Sequence, residues 1–599
     1  MWKTTFNMKR KQVFLMIIGA LVMALCVVAG VLSLRQSGGL QLYQPVALQR
    51  LAGSWTGRQP QATTKRDTVR QAVQQPDTAL VGTLADEQGQ PMPRVVVSDG
   101  YTCTLTDTMG RYHLRRNPRA RFVYYTVPDY CEVPTHSPTD HTACFYQSLV
   151  KGQDTYDFTL RRLRGGREMR YRLVVFGDPQ VTTTRNPYYT GPDDNRISIT
   201  DLQRFASETM ADVRVLLAQW PAYEHVYAIS MGDDVQYYGG YSSGLERQMR
   251  EALGDSPMTV FSVIGNHDQD GRQLYKQKWE DSWGPTDYSF DRGDEHFVCF
   301  NNVQFTRSKG YYQPGELTSA QMEWLRQDLA LTDHRRKVVL CYHIPLTFGN
   351  SPHGGATPLA IDTESGHYSS SVLTSILRLL EPFEGGFELF CGHTHFAINH
   401  EIRYGGRDLM EHCHAAACGN IWQSNVNICG TPNGYYVYTF GGTAVTDCYY
   451  KPTGWDRSRQ MTLFGADTDF NGESYAADWD LPRNRGTIVA NIFNADSRWT
   501  VTATEDSTTL PMVRLSGKGQ DAFATGYHRR YAEAMPYTFV SKKNGYLIMN
   551  HLFYYVPRNK EAVVTITATD PYGNTYRASS ADIVTEPFYN YAHYLGGGR

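Results

Sequence analysis

Between Arg170 and about residue 425, short apolar runs alternate with helical stretches, and no other feature restricts the fold of this chain as strongly. The runs are RLVVFG (172–177), HVYAISMG (225–232), MTVFSVIG (258–265), KVVLCYH (337–343) and FELFCG (387–392). They are too short for helices and apolar on both faces, the signature of a central sheet covered by helices. Thr200 with Gln203 opens a capping box ahead of LQRFASETMADVRVLLAQW, and Thr318 with Gln321 opens another ahead of SAQMEWLRQDLAL. In each, the hydroxyl and the amide satisfy two orphan backbone donors reciprocally, so a helix is expected to start there.

Nearly every run ends in polar groups able to bind a metal. In chain order these are Gly177-Asp178-Pro179-Gln180, Gly232-Asp233-Asp234, Gly265-Asn266-His267-Asp268, Tyr342-His343 and Gly392-His393-Thr394-His395. Loops at the carboxyl ends of strands in an open α/β sheet converge on one crevice, which is where such sheets place ligands. Oxygen donors mixed with imidazoles suit borderline divalent metals such as Mn, Fe, Zn or Co rather than an all-oxygen Ca or Mg site. Singly, each piece reads as ordinary structure: His343 as a core histidine, GNHD as an Asx-turn, GHTH as a surface turn. Five of them in this order, each after a β-type run, are not explained that way.

The flanks are all β. From Leu80 to about Arg162, runs such as LVGTL, RVVVSDG, TCTLTD and RFVYYTVP, separated by turn signals, predict a small β-sandwich. From about residue 426 the β pattern returns in YYVYTF, GTIVANIF, RWTVTATE, GYLIMNHLFYYVP and AVVTITATD. Residues 36–76, rich in Gln, Arg and Thr, read as a linker. With 599 residues, and roughly 150 per domain, about four structural units are expected.

Val13 to Leu34 carries no charged residue, and as a helix it is about 33 Å long, enough to cross a bilayer. Lys3, Lys9, Arg10 and Lys11 precede it, so the N-terminus stays cytoplasmic and everything after Arg35 is translocated. An uncleaved anchor within residues 1–35 and a cleaved signal peptide are both open. Either exports the protein to the periplasmic side or cell surface, or secretes it if cleaved. Lys+Arg 58 against Asp+Glu 60 gives a net charge of -2, which removes the electrostatic case for nucleic acid as a partner. Of eleven cysteines, Cys26 lies in the apolar segment; the other ten form no CxxC pair, and their disulfide connectivity stays open.

The order of the five motifs resembles the calcineurin-like metallophosphoesterase superfamily, whose pattern is D-x-H, G-D, G-N-H-D/E, H and G-H-x-H. The flanks GQPMPRVVVSDG with TDTMGRYHL, and IFNADSRWTVTATED with HLFYYVP and TATDPYGNTY, look like a bacterial exported subgroup with a β-domain on either side. The resemblance covers about residues 78–599. It implies an α/β (α+β) four-layer sandwich at 168–425, an N-terminal β-sandwich at 77–164 and a C-terminal β-domain at 426–599. Carried over residue by residue, Asp233 bridges two divalent metal ions. Asp178, Gln180 and His395 complete one site, and Asn266, His343 and His393 the other. His267 acts on the substrate phosphate or the leaving oxygen, and Asp268 orients its imidazole. The implied activity is hydrolysis of phosphomonoesters or phosphodiesters by a metal-bridging hydroxide, on small-molecule, lipid or glycan phosphoesters. Gln180 departs from the pattern, which has His there; a carboxamide oxygen is a harder donor than an imidazole nitrogen.

Other readings are weaker. Gly240-Tyr241-Ser242-Ser243-Gly244 matches G-x-S-x-G, but a Tyr-rich stretch with Tyr237 and Tyr238 separates it from the preceding run, so a rim loop is expected rather than a nucleophile elbow. No phosphate-binding G-x-x-x-x-G-K-[ST] loop occurs. His412, His414 and Trp422 follow GHTH, and one His is a candidate for substrate contact. His296, His353 and His367 have no supporting spacing. The alternative of another class is a catalytically weakened envelope binding or structural protein whose middle domain is a metal-stabilised scaffold.

Overall fold

Alternate residues of the strand Arg170–Phe176 enter two different cores. Tyr171, Leu173 and Val175 join one buried cluster, and Val174 and Phe176 another, as side chains that alternate across a strand must when both faces are covered. This computed structural model describes residues 79–182, 200–222, 224–236, 244–269, 273–307, 311–347, 360–362, 371–468, 476, 479–530 and 548–583. The apolar segment 13–34, the linker 36–76, residues 237–243 of the Tyr-rich stretch, His353 and His367 lie outside them. Among the described residues no helix is long and apolar enough to cross a membrane.

Two seven-stranded sheets form the middle of the molecule. In the first, Arg170–Phe176, His225–Ser230 and Thr259–Ser262 run parallel side by side. The second centres on Glu295–Cys299, Lys337–Cys341, Phe387–Cys391 and Arg407–Cys413, also parallel. Their inner faces meet through aromatic rings: Phe261 stacks on Phe290 at 3.7 Å between centroids, and Phe290 on Phe297 at 4.8 Å. Helices cover the outer faces. Val213, Leu216, Met249 and Trp279 close over the first sheet, while Trp324, Leu325, Ile376 and Leu377 close over the second. The mixed α/β, sheet-rich architecture anticipated for this region is present.

Both capping boxes form, at Thr200 with Gln203 and Thr318 with Gln321. The first helix is not regular: Asp201–Arg204 passes through a π-turn at Phe205–Thr209 before continuing as Met210–Leu217. Such turns are frequent at functional sites, and this one carries the buried pair Arg204–Glu208, 2.9 Å apart.

The boundary expected at 425 does not coincide with the sheets. Gly434–Gly441 pairs antiparallel with Arg170–Phe176, and Ala444–Pro452 follows as the outer strand. The free edge of Arg170–Phe176 needs hydrogen-bond partners, and the alternation of this hairpin fits it: Tyr436, Tyr438 and Phe440 face the inter-sheet core, while Tyr435 and Val437 face the helices. At the opposite end, Asp140–Ala143 from the N-terminal region pairs with Thr259–Ser262. Beyond residue 460, two four-stranded sheets face one another around a core that includes Leu463, Ala490, Ile492, Val501 and Ile566. All ten described cysteines are free thiols.

His296, which the sequence offered no role, is buried between two carboxylates, with Nδ1 2.7 Å from Asp291 and Nε2 2.9 Å from Asp328. Burial opposes its charged form, but Asp328 and Asp291 hold it up at about 9. A raised histidine stabilises the fold fully below its unfolded value near 6.5 and loses that contribution as pH rises through about 9. His296→Gln is therefore expected to cost about 3–5 kcal/mol at pH 6, because two buried carboxylates lose their cation. Urea titrations at pH 6 and 9.5 check this: equal losses at both would sink the ion-pair assignment.

Candidate metal centre

The five polar motifs converge at one end of the two sheets. Asp178, Asp233 and His395 place ligand atoms within 4.8 Å of one another, and so do Asp233, His343 and His393. Asp233 belongs to both groups. Asn266 adjoins the second: its Oδ1 is 3.0 Å from His343 Nε2 and 2.8 Å from His393 Nδ1.

The local backbone is unusual. Asp178, Gln180, Asp233, His393 and His395 have φ of 35°, 40°, 54°, 73° and 60°, half of the ten positive-φ non-glycine residues among those described. Each such residue costs on the order of 1–3 kcal/mol and persists only where its surroundings over-determine it. Hydrogen bonds do that here. The Asp178 carboxylate accepts the His393 N–H, at 3.0 and 2.9 Å, and the Gln180 N–H donates to the Asp233 carbonyl at 2.7 Å. Gly265 is required by space, since a Cβ there would stand 2.1 Å from Asp233 Oδ1. Gly232, at φ 93°, would bring its Cβ to 2.7 Å from His343 Nδ1.

The side chains fit cations. His343 Nδ1 is 2.8 Å from the Met231 carbonyl, which only accepts, so Nδ1 carries a proton and, in the neutral ring, Nε2 turns its lone pair to the centre. Around Nε2 stand the oxygens of Asn266 and Asp233 and the His393 ring nitrogen at 3.3 Å. Asp233 Oδ2 lies 3.0 Å from His343 Nε2 yet makes no hydrogen bond, and Gln180 Oε1 is likewise buried without one. Buried acceptors cost about 1–3 kcal/mol when unsatisfied, and the crowding of Asn266 Oδ1, Asp233 Oδ2 and the His393 nitrogen around His343 Nε2 is what a positive ion would resolve.

Proton affinities differ across the centre. Burial above all pushes the Asp178 carboxyl well above the carboxylate range. At Asp233 burial is outweighed by His343 and His267, which hold the carboxyl below that range. Burial opposes a charge on His343, but Asp233 raises it to about 9. Burial lowers His395 to about 3 and His393 well below its ordinary value. His393 and His395 are thus unprotonated, the form of imidazole that binds metal, whereas His343 would bind one by giving up the proton that Asp233 holds on it.

Three family models match the chain: the N terminal of calcineurin-like phosphoesterase over residues 78–163, calcineurin-like phosphoesterase over 171–397, and the C terminal of calcineurin-like phosphoesterase over 411–576. The chain belongs to the calcineurin-like phosphoesterase family. Among solved structures, a purple acid phosphatase from yellow lupin (Lupinus luteus) seeds is 14% identical, with a TM-score of 0.28, over 47% of this chain and 51% of that one. The NAD nucleotidase of Haemophilus influenzae is 9% identical, with a TM-score of 0.26, over 47% of this chain and 49% of that one. The phosphoesterase thus spans about half the length of these structures. No curated protein matches it.

The role expected for Asp268 needs correction. Its carboxylate does not orient the His267 ring; it accepts the backbone N–H groups of Asp233 at 2.9 Å, Val235 at 3.0 Å and Gly265 at 2.7 Å. Three donors aimed inward by two tight turns claim the buried anion first. The His267 ring is held instead by Gln236, whose Oε1 is 2.5 Å from Nδ1. Gln236 escaped the sequence reading, although its place just beyond Gly232-Asp233-Asp234 is the signal that could have found it. Neither His412 nor His414 is spare for substrate: His414 spans the Cys391 carbonyl and Tyr438, and His412 is 2.6 Å from Asn399.

Trp422, unplaced by sequence, braces the first metal loop. Its indole N–H donates to the Pro179 carbonyl at 2.8 Å, between Asp178 and Gln180. Its own carbonyl accepts from Arg204, the partner of Glu208 on the π-turn. Trp422→Phe keeps the ring and strands that buried carbonyl, an expected loss of about 1–3 kcal/mol, with weaker metal retention during dialysis. Unchanged urea midpoint and metal content would refute the brace.

Proposed function

We propose that this phosphoesterase is an exported hydrolase of phosphomonoesters or phosphodiesters that works at a dinuclear divalent-metal centre. Asp178, Gln180 and His395 hold one ion, Asn266, His343 and His393 the other, and Asp233 both. The observation that carries this reading is the pair of ligand groups sharing Asp233 within 4.8 Å. Ions held there would supply the positive charge that acidifies a water and offsets the charge of the phosphate oxygens. The protein's own residues do the rest. Asp268 ties the turns bearing Asp233 and Gly265 into one rigid unit. Gln236 accepts from His267 Nδ1, so Nε2, 4.0 Å from Asp233 Oδ2, carries a proton for the phosphate or the leaving oxygen only in the doubly protonated ring, a form that burial opposes and Asp233 favours. Glu411 fixes the segment after His343, accepting from Tyr342 Oη and the Leu346 N–H, both at 2.7 Å.

Export is supported by the uncharged stretch Val13 to Leu34 behind Lys9, Arg10 and Lys11, which also makes a membrane the expected partner. The test is the full-length protein, stripped by chelation and reloaded separately with Mn, Zn, Fe, Co or Mg, on p-nitrophenyl phosphate and bis-p-nitrophenyl phosphate. Metal-dependent turnover is expected, and the preferred ester separates monoesterase from diesterase. Two bound ions with no turnover on these or a broader ester panel would leave the scaffold reading in its place.

A further inference from the structure

The seven proposed ligands do not divide evenly. The Asn266–His343–His393 site, with Asp233, offers two nitrogens and two oxygens. The Asp178–His395 site, with Asp233, has one nitrogen; the Cys418 thiol stands 3.7 Å from His395 Nδ1, and two residues beyond Asp178 in the chain lies Gln180. That side chain is 1% exposed, its Oε1 is buried without a hydrogen bond, and its backbone is held at φ 40° by the bond from its N–H to the Asp233 carbonyl. The carboxamides of Gln236 and Gln269 in the neighbouring motif loops are paired, the first through Oε1 to His267 and the second through Nε2 to the Gly265 carbonyl. At Gln180 the backbone is strained and the acceptor is left open.

We propose that Gln180 makes the two cation sites chemically unequal, so that the Asp178–Gln180–His395 site takes a hard, oxygen-preferring divalent ion of the Mn class, while the Asn266–His343–His393 site keeps a borderline ion of the Zn class. This rests on the dinuclear reading above. Every site of this kind binds Zn more tightly than Mn in absolute terms, so the inequality lies in how much Zn is preferred. Exchanging imidazole nitrogen for amide oxygen narrows that preference at one site only.

The full-length protein and Gln180→His are loaded with Zn and dialysed against rising Mn, with metal content read by mass spectrometry and each site by anomalous scattering at the two absorption edges. In the native protein, Mn is expected to replace Zn first beside Asp178 and His395, at a concentration at least about tenfold below that needed beside His343 and His393. In Gln180→His the two exchange curves should draw together. Gln180→Leu, which keeps the bulk without the donor, should lose the first ion and hold the second. Simultaneous exchange in the native protein, or curves unmoved by Gln180→His, would overturn the inference while leaving two ions in place. Fewer than two ions in both native protein and Gln180→His would overturn the dinuclear reading itself.

Discussion

Asp233→Asn is expected to lower kcat/KM at least about a thousandfold in a protein that still folds. Asp233 is the one side chain common to both ligand groups. Asparagine keeps an oxygen to accept the His267 N–H, now 2.6 Å from Oδ1, so the turn should survive. What changes is the other oxygen: Oδ2, 3.0 Å from His343 Nε2, becomes a neutral NH2 that donates to the imidazole lone pair. The bridging anion disappears and the nitrogen meant for a cation is capped by a proton donor. Metal content should fall with activity, and thermal melting of the metal-free protein should change little. A variant that still turns over at the native rate with two ions would show that Asp233 does not bridge.

His267→Ala should behave differently, with kcat down about 10²–10⁴-fold while both ions stay bound. Although His267 lies next to Asn266 in the chain, its ring is turned to Gln236 on Nδ1 and presents Nε2 at 4.0 Å from Asp233, close enough to serve a phosphate oxygen and too far to complete either ligand group. The loss should be smaller for a substrate with a good leaving group, such as p-nitrophenolate, than for an alkyl phosphate, since only the poor leaving group needs the proton. Equal losses on both would assign His267 to phosphate binding instead; loss of an ion would make it a ligand. Gln236→Ala should reproduce part of the effect by freeing the ring.

The sequence was informative where the determinants are local. Apolar runs bounded by Gly and closed by Asp, Asn or His announce both the strands and the turns that end them, because strand formation and turn chemistry depend on adjacent residues. For the same reason Thr200 and Thr318 were recognisable as helix starts, whereas the π-turn after Arg204 was not, since it depends on Trp422 and Asn425 far along the chain. The order of motifs placed Asp178, Asp233, His343, His393 and His395 in one reading, and the fold brings them to one crevice.

Partner choice was decided only by tertiary structure. Asp268 and His267 are adjacent, yet the carboxylate caps the turns of residues 233–235 and 265 while the ring goes to Gln236. A buried anion takes the nearest inward-facing donors, and which donors face inward is set by how distant turns are packed together. His296 shows the same rule, since Asp328 reaches it from a helix on another layer. The hairpin 434–452 reads as generic β pattern, and nothing local tells it to complete the sheet beside Arg170–Phe176. By itself, then, the sequence determined the elements, their caps and the polar turns that carry the chemistry, all short-range properties. Which turn braces which, which acceptor is left open for a cation and where each sheet ends were decided by packing, because those are properties of surfaces that exist only once distant segments meet.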